Sequence, residues 1–263
     1  MDESQNMHET AQLARYLSTS ENMVFFGGAG VSTESGIPDF RSAQGLYAAT
    51  NTYGMPPEEL LSLATLQANP ALFFRYYREN LVSPTAEPNA AHQALAYLEE
   101  MGICKAVVTQ NVDGLHQAAG SKVVHELHGS NWRQYCVSCG QRFTLAFVLD
   151  AANLVDDVPR CTRCGGMVRP DVVLYQEALD EQVVAAAIAA IRAADLLIVG
   201  GTSLAVYPAA ALIEYFRGGN LVVINLSVTP VDSRAQLVIT EPIGKVLGEA
   251  VLLLGAQGRG SSG

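Results

Sequence analysis

The feature that most constrains the fold is an apolar stretch, Met23–Phe26, that runs straight into Gly27-Gly28-Ala29-Gly30. An apolar strand ending in closely spaced glycines opens a phosphate cradle. The glycines let the backbone approach a pyrophosphate, and N–H groups of the following helical turn face the anion. A plain dinucleotide-binding loop continues from there as a smooth helix. This one passes through Ser35-Gly36-Ile37-Pro38, where glycine and proline break a helix, and presents Asp39 and Arg41. A cofactor loop that also delivers a short polar segment points to chemistry performed on the cofactor.

Short apolar runs recur between helical patterns along the rest of the chain. Strands are expected at Ile103–Thr109, Val123–Leu127, Val172–Tyr175, Leu196–Gly200 and Leu221–Leu226. Helices are expected over 8–20, 57–82 with a break at Pro70, Asn89–Met101, Glu181–Ala194 and Tyr207–Phe216. This alternation predicts an α/β fold with a doubly wound parallel sheet, whose ligands bind beyond the carboxyl ends of the strands. Each polar motif described below sits at such an end. The stretch from about 131 to 169 lacks long periodic elements and reads as an insert.

With 263 residues, 49 % of them hydrophobic and 16 % charged, the chain can bury a substantial core and is not a disordered one. No apolar run approaches the length of a membrane span, and the acidic start Met1–Asn6 carries no secretion signal, so the cytoplasm is the expected compartment. A net charge of −10 argues against nucleic acid as a direct partner.

Two short pairs, Cys136-x-x-Cys139 and Cys161-x-x-Cys164, are separated by 21 intervening residues, with Gly140 after the first and Gly165-Gly166 after the second. Paired knuckles of this form supply the four soft ligands of a tetrahedral zinc, and a reducing cytosol disfavours disulfides. The expectation is one structural zinc per chain, closed by four thiolates and taking no part in chemistry. Cys104, inside an apolar strand, reads as core packing.

The other motifs are ambiguous singly. Gly28-Ala29-Gly30 lacks the third glycine of a dehydrogenase fingerprint, since Thr33 stands in its place, so hydride transfer is disfavoured. Gln110, Asn111 and Asp113 follow a strand and either read a carboxamide and a ribose or form an Asx turn that caps the next helix. Of His125 and His128, strand alternation lets only one face a ligand. His128 is favoured because Gly129 opens space beside it, and a histidine there suits general-base work. His116 reads as structural. Gly200–Ser203 is a second anion site ahead of a helix, and Ile224–Ser227 can hold a second ribose.

Together these motifs resemble the sirtuin family of NAD-dependent protein deacylases. The likeness runs in order from about residue 10 to 250, through Gly28–Ser42, Thr109–His116, Glu126–Gly129, both cysteine pairs, Arg169–Glu177, Gly201–Leu204 and Val223–Ser227. It implies a single catalytic domain over 1–263, with a Rossmann-type part at about 8–36, 102–130 and 170–250. Into that part are inserted a helical module at about 37–101 and a zinc-ribbon module at about 131–169. By position, Gly28, Ala29, Gly30, Ser32, Asp39, Phe40, Arg41, Gln110, Gly201, Thr202, Ser203, Asn225, Leu226 and Ser227 match NAD contacts, with Ile243 on the adenine side. Ile37, Asn111 and Asp113 match the nicotinamide carboxamide pocket, and His128 matches the catalytic base, with Asn111 ordering a water or ribose hydroxyl. Val172, Val173 and Tyr175, Gln176 and Glu177 match the stretch that pairs with substrate backbone as an added strand.

The resemblance implies a monomeric protein lysine deacetylase. It transfers the acetyl group of acetyl-lysine proteins or peptides to ADP-ribose and releases nicotinamide and O-acetyl-ADP-ribose. The chain departs from the family pattern at Gly27, often Thr, and at Tyr175-Gln176-Glu177, usually Phe-Gly-Glu. A Tyr-x-x-Arg pair that meets acidic acyl groups in some members falls on Phe74 and Tyr77, which favours acetyl or neutral acyl groups. Two other functions stand beside deacetylation: mono-ADP-ribosyl transfer, and a non-catalytic NAD-binding module.

Overall fold

The structure is a computed structural model, and it describes residues 3–39 and 50–260. Its strands in chain order are β1 (Met23–Gly27), β2 (Cys104–Thr109), β3 (Val124–Glu126), β4 (Gly129–Cys136), β5 (Arg142–Thr144), β6 (Leu154–Val155), β7 (Val158–Pro159), β8 (Val168–Val172), β9 (Leu196–Gly200), β10 (Asn220–Ile224) and β11 (Leu237–Ile239). Six of them form one sheet in the order β11-β10-β9-β1-β2-β3, with every neighbouring pair parallel. From β1 the chain builds outward on one side to β3, then returns to the other side of β1 to lay down β9. The order therefore reverses between β1 and β9, the place where open α/β sheets bind ligands.

Why these runs form buried strands follows from the two-residue period of a strand. Phe25 and Ile198 point into one core, while Val24, Phe26, Leu197 and Val199 point into the other. The first core is covered by helices Glu3–Thr19, Ala90–Glu100 and Ile243–Gly260, through Leu13, Leu17, Leu95 and Leu247. The second is covered by Glu181–Ala193 and the 3₁₀ segment Ala209–Tyr215, through Ile191 and Leu212. Apolar side chains on both faces are what a doubly wound sheet demands, so these strands read as continuous hydrophobic runs. Asn89 caps Ala90–Glu100 by accepting from the Ala91 N–H at 2.9 Å.

A third core lies away from the sheet. It joins Leu60, Leu66, Phe73, Phe74, Tyr76 and Tyr77 to Cys136, Leu145, Val148, Cys161, Val168 and Leu174. The helical segment and the cysteine-bearing segment thus share one interior. The latter is an antiparallel sheet in the order β5-β4-β8, and β6 pairs with β7 beside it.

Three expectations change. The strand expected at Val172–Tyr175 is not part of the parallel sheet. Its first residue ends β8, which pairs antiparallel with β4, and the rest is a bridging segment. The helix expected over 57–82 is split into Pro57–Leu60, Leu63–Ala68, Pro70–Tyr76 and a π-helical turn Tyr77–Leu81. Ser62 and Asn69 end one piece and cap the next, their side chains accepting from Thr65 N–H at 3.1 Å and Leu72 N–H at 3.2 Å. The helix expected at Tyr207–Phe216 is the 3₁₀ segment Ala209–Tyr215. Among the described residues no helix is long and apolar enough to cross a membrane.

Candidate active site

The register of the parallel sheet brings four strand ends into one row. Gly27 pairs with Thr109 on one side and with Gly200 on the other, and Gly200 pairs with Ile224. The next residues, Gly28, Gln110, Gly201 and Asn225, therefore stand side by side at the carboxyl edge. Here the two glycine loops cross. Gly30 N–H donates to Gly201 O at 2.8 Å, and Gly28 N–H to Gly200 O at 3.3 Å. A Cβ at Gly30 would fall 2.8 Å from the Gly201 Cα, and one at Gly201 (φ +58°) would fall 2.4 Å from Val31 N. Only glycine permits so close a crossing.

Beyond the crossing opens a cleft of about 620 Å³. Every residue expected at the cofactor and substrate sites lines it, except Phe40 and Arg41, which lie outside the described residues. The expected helix N-termini behind the glycine loops are absent. Ala29–Val31 and Thr33–Ser35 are single 3₁₀ turns, and after Gly201 the Thr202 Oγ1 accepts from Leu204 N–H at 3.1 Å and from Gln110 Nε2 at 3.1 Å. Gly36 and Pro38 stop the first loop from continuing as a helix. The described lining holds six carboxylates, at Glu34, Asp39, Glu58, Asp113, Glu177 and Glu241, and no lysine or arginine.

Of the two readings of Gln110, Asn111 and Asp113, the Asx cap is present, and Asp113 has a second partner besides. Asp113 Oδ1 accepts from Leu115 N–H at 2.9 Å, which is the Asx cap. Its Oδ2 accepts from Ser32 Oγ at 2.7 Å, and that hydroxyl, fully buried, accepts from Asn111 Nδ2 at 3.1 Å. Two loops from different strands are thus locked together by three polar side chains facing the cleft.

His128 lies just past β3 and lines the cleft, whereas His125 does not. Its Nδ1 is 2.9 Å from the carbonyl oxygen of Gln110. A carbonyl only accepts, so Nδ1 carries the proton and Nε2 keeps a lone pair. Burial lowers the pKa of the ring, and the bond to Gln110 opposes that shift without cancelling it. His128 is therefore a neutral imidazole at neutral pH, with its basic nitrogen defined.

The backbone carbonyl of the same residue accepts from Val173 N–H at 2.9 Å. From there the chain bridges to the helical segment, where Tyr175 N–H donates to Leu61 O at 3.1 Å and Leu63 N–H to Tyr175 O at 3.0 Å. Gln176 holds a left-handed backbone (φ +77°), and its Oε1 accepts from Ala64 N–H at 3.1 Å. Glu177 receives a bidentate pair from Arg169, at 2.6 and 2.8 Å, and a third bond from Leu174 N–H at 2.8 Å. Burial raises its pKa, but these three bonds hold it below the usual carboxylate value. Phe74 and Tyr77 are fully buried in the third core and do not line the cleft.

The four cysteines gather at one end of the β5-β4-β8 sheet. All four sulfurs lie within 4.8 Å of one another, with Cys136 and Cys164 at 3.5 Å and Cys139 and Cys161 at 3.7 Å. Four thiolates around one zinc, at about 2.3 Å each, sit about 3.8 Å apart, whereas a disulfide needs about 2.05 Å. The set fits a tetrahedral metal. The backbone is folded for it twice over: Gly140 N–H donates to Cys136 O at 3.0 Å, and Gly165 N–H to Cys161 O at 2.8 Å.

Residues 28–208 match the model of the Sir2 family. The chain belongs to that family. It is 56 % identical over 241 residues to an NAD-dependent protein deacetylase of Clostridium perfringens, covering 91 % of this chain and 97 % of that one. It is 55 % identical over 236 residues to an NAD-dependent protein deacetylase of Cutibacterium acnes, covering 90 % and 95 %. A solved Sir2 variant with deacetylated p53 peptide and 3'-O-acetyl-ADP-ribose superposes with a TM-score of 0.85 at 37 % identity, covering 95 % of this chain and 98 % of that one. A Sir2–p53 peptide–NAD+ structure does so with a TM-score of 0.80 at 37 % identity, covering 94 % and 98 %.

In this Sir2-family chain several groups that line the cleft or brace its loops went unseen in the sequence. Leu61, Leu81 and Val112 supply an apolar wall. Glu34 accepts from Gly244 N–H at 2.7 Å and so ties the glycine loop to the helix that begins at Ile243. Asn89 reaches back from its helix cap to donate to Val31 O at 2.8 Å and Ser35 Oγ at 3.0 Å. The Pro88-Asn89 pair signals a helix start, which was legible; its second task was not.

Proposed function

We propose that this protein is an NAD-dependent protein lysine deacetylase and that His128 is its general base. The observation that carries the reading is the double attachment of that one residue. Its side chain is fixed to the Gln110 loop of the cofactor side, and its backbone is fixed to Val173 of the bridging segment. A proton acceptor is thereby held where two halves of a cleft meet.

NAD, when bound, supplies the ADP-ribosyl group that takes the acetyl group as nicotinamide leaves. The glycine crossing and the Thr202 hydroxyl leave room and donors for its phosphates. Ser32, Asn111 and Asp113 offer the mixed donors and acceptors that a carboxamide requires. Nε2 of His128 accepts a proton from a ribose hydroxyl, and the Gln110 carbonyl steadies the imidazolium that results. The bridging segment from Val172 to Glu177, which lines the cleft, is the stretch along which peptide backbone pairs as an added strand, and the apolar wall keeps water from the acyl group.

The same reading assigns one structural zinc to the four cysteines, acetyl-lysine proteins or peptides as partners, the cytoplasm as compartment and a monomer as the working unit. An acidic acyl group meets six carboxylates and no cation among the described lining residues, so acetyl is favoured over succinyl. The test is mass spectrometry of acetyl- and succinyl-lysine peptides incubated with NAD. Wild type should remove acetyl only with NAD present, and His128→Ala should lose about a hundredfold or more of the rate. Modified protein with the peptides intact would give the site to ADP-ribosyl transfer, and no reaction at all would leave a binding module.

A further inference from the structure

Trp132, the single tryptophan of the chain, stands between the carboxamide pocket and the metal-holding sheet. It lies on β4, four residues after His128 and four before Cys136. Its Nε1–H donates to the backbone carbonyl of Asp113 at 2.6 Å. The Cδ1–Nε1 edge of its indole packs against Gly114, where a Cβ would fall 2.6 Å from Cδ1 and 2.7 Å from Nε1. Gly114 itself has φ +75°, so its backbone and its neighbour both require glycine. The preceding residue, Asn131, donates its N–H to Val112 O at 2.8 Å.

Two consecutive residues of β4 therefore grip three consecutive residues of the loop that carries Asn111 and Asp113. On the far side the same loop is held by the Ser32 hydroxyl. Asp113 is thus held at its carboxylate by a side chain of the first glycine loop and at its backbone carbonyl by an indole at the root of the metal-holding sheet. The indole is about half exposed (49 %) and does not itself line the cleft, so it is neither a core residue nor a direct contact but a cover laid on the loop from outside.

We propose that Trp132 is a positioning residue for the carboxamide pocket: it fixes the 112–114 loop so that Asp113 and Asn111 stay aligned, and its emission reports whether the pocket is filled. The inference rests on the reading that this pocket receives the nicotinamide carboxamide. Misplacing a positioning group by about 1 Å costs on the order of a hundredfold, and loss of one hydrogen bond with its cover is a partial version of that.

The expected result for Trp132→Ala is a rise of about tenfold in the KM for NAD and in the inhibition constant of free nicotinamide. The KM for acetylated peptide and kcat at saturating NAD should stay within about twofold. Trp132→Phe keeps a ring on Gly114 without the N–H and should recover about half of the loss on a logarithmic scale. Gly114→Ala leaves the fluorophore in place but pushes it off the loop, so it should raise the NAD constants and shift emission to the red. In wild type, free nicotinamide should change the tryptophan emission. NAD and nicotinamide constants unmoved in Trp132→Ala would overturn the proposal, as would equal rises in the NAD and peptide constants, the mark of a merely structural loss. If wild type itself fails to consume NAD, the reading of the pocket falls instead.

Discussion

At the scale of single residues, His128 shows how a backbone contact sets chemistry. The Gln110 carbonyl forces the proton onto Nδ1, and burial keeps the ring neutral. On the proposal that His128 is the general base, it must be unprotonated to act, so activity is lost as pH falls through its pKa. Because that pKa is lowered, the acid limb of kcat/KM should lie below the ordinary histidine value of about 6.5. A pH profile with its limb at or above that value would contradict the burial argument. His128 lines the cleft and His125 does not, as expected, but not for the expected reason. Gly129 opens no space, since a Cβ there would fall 2.0 Å from Asp171 O, and His128 reaches the cleft because it lies past the end of β3. The joint role of Asp113 was not legible, because its two oxygens serve a local cap and a partner 81 residues away in sequence, and only the first has a sequence signal. Ser32 was legible only as part of a motif, since a serine hydroxyl is unremarkable until two loops close around it.

At the scale of elements, the segment from Val172 to Glu177 is the instructive case. Its apolar run resembles the buried parallel strands, yet β8 turns antiparallel onto β4 and the remainder spans two modules. Periodicity reports burial and not the partner, so the run alone could not distinguish the two sheets. The expected long helix over 57–82 failed for a related reason: Ser62 and Asn69 were caps hidden inside an apolar pattern. What fixes the bridging segment is Arg169, buried beneath it and paired with Glu177. Removing one partner of such a pair strands a buried charge at a cost of about 3 kcal/mol. Glu177→Ala should therefore lower the thermal midpoint and raise the KM for peptide several-fold, with the KM for NAD unchanged. Equal effects on both substrates would show that the segment does not serve the peptide side alone.

At the scale of the whole molecule, the parallel sheet and its site edge were legible because strands buried on both faces are continuous hydrophobic runs. The third core was not, since it assembles residues 60–77 with residues 136–174, and nothing local announces that meeting. The first core carries a further cost that the sequence hides. His92 and His116, both fully buried, meet edge to face with ring centroids 4.7 Å apart, and His116 also lies 6.1 Å from Phe25 of β1. Burial pushes the pKa of His92 down to about 4, against an opposing pull from Asp113. Burial, with His92 adding to it, pushes that of His116 down to about 3. In the unfolded chain both titrate near 6.5. Above that pH neither state binds a proton and the pair contributes nothing to pH dependence. Below it the unfolded chain takes up protons that the folded protein refuses, so stability falls as pH falls, by about 1.4 kcal/mol per unit for each ring. At pH 5 the two together cost about 4 kcal/mol, a large share of an ordinary folding free energy of about 5–15 kcal/mol. The carboxylates with lowered pKa, Asp195 and Glu177, lose their stabilisation only below about pH 4.5, so the interval from 6.5 to 5 isolates the histidines. Thermal or urea unfolding between pH 7 and 5 should show a steep loss of stability in wild type. In His116→Leu, where a neutral side chain of similar size fills the site, about 2 kcal/mol of that loss at pH 5 should disappear. An unchanged slope in this variant would mean that the imidazole pair already binds a proton in the folded state, and that the first core accommodates a charge between Phe25 and the helix Ala90–Glu100.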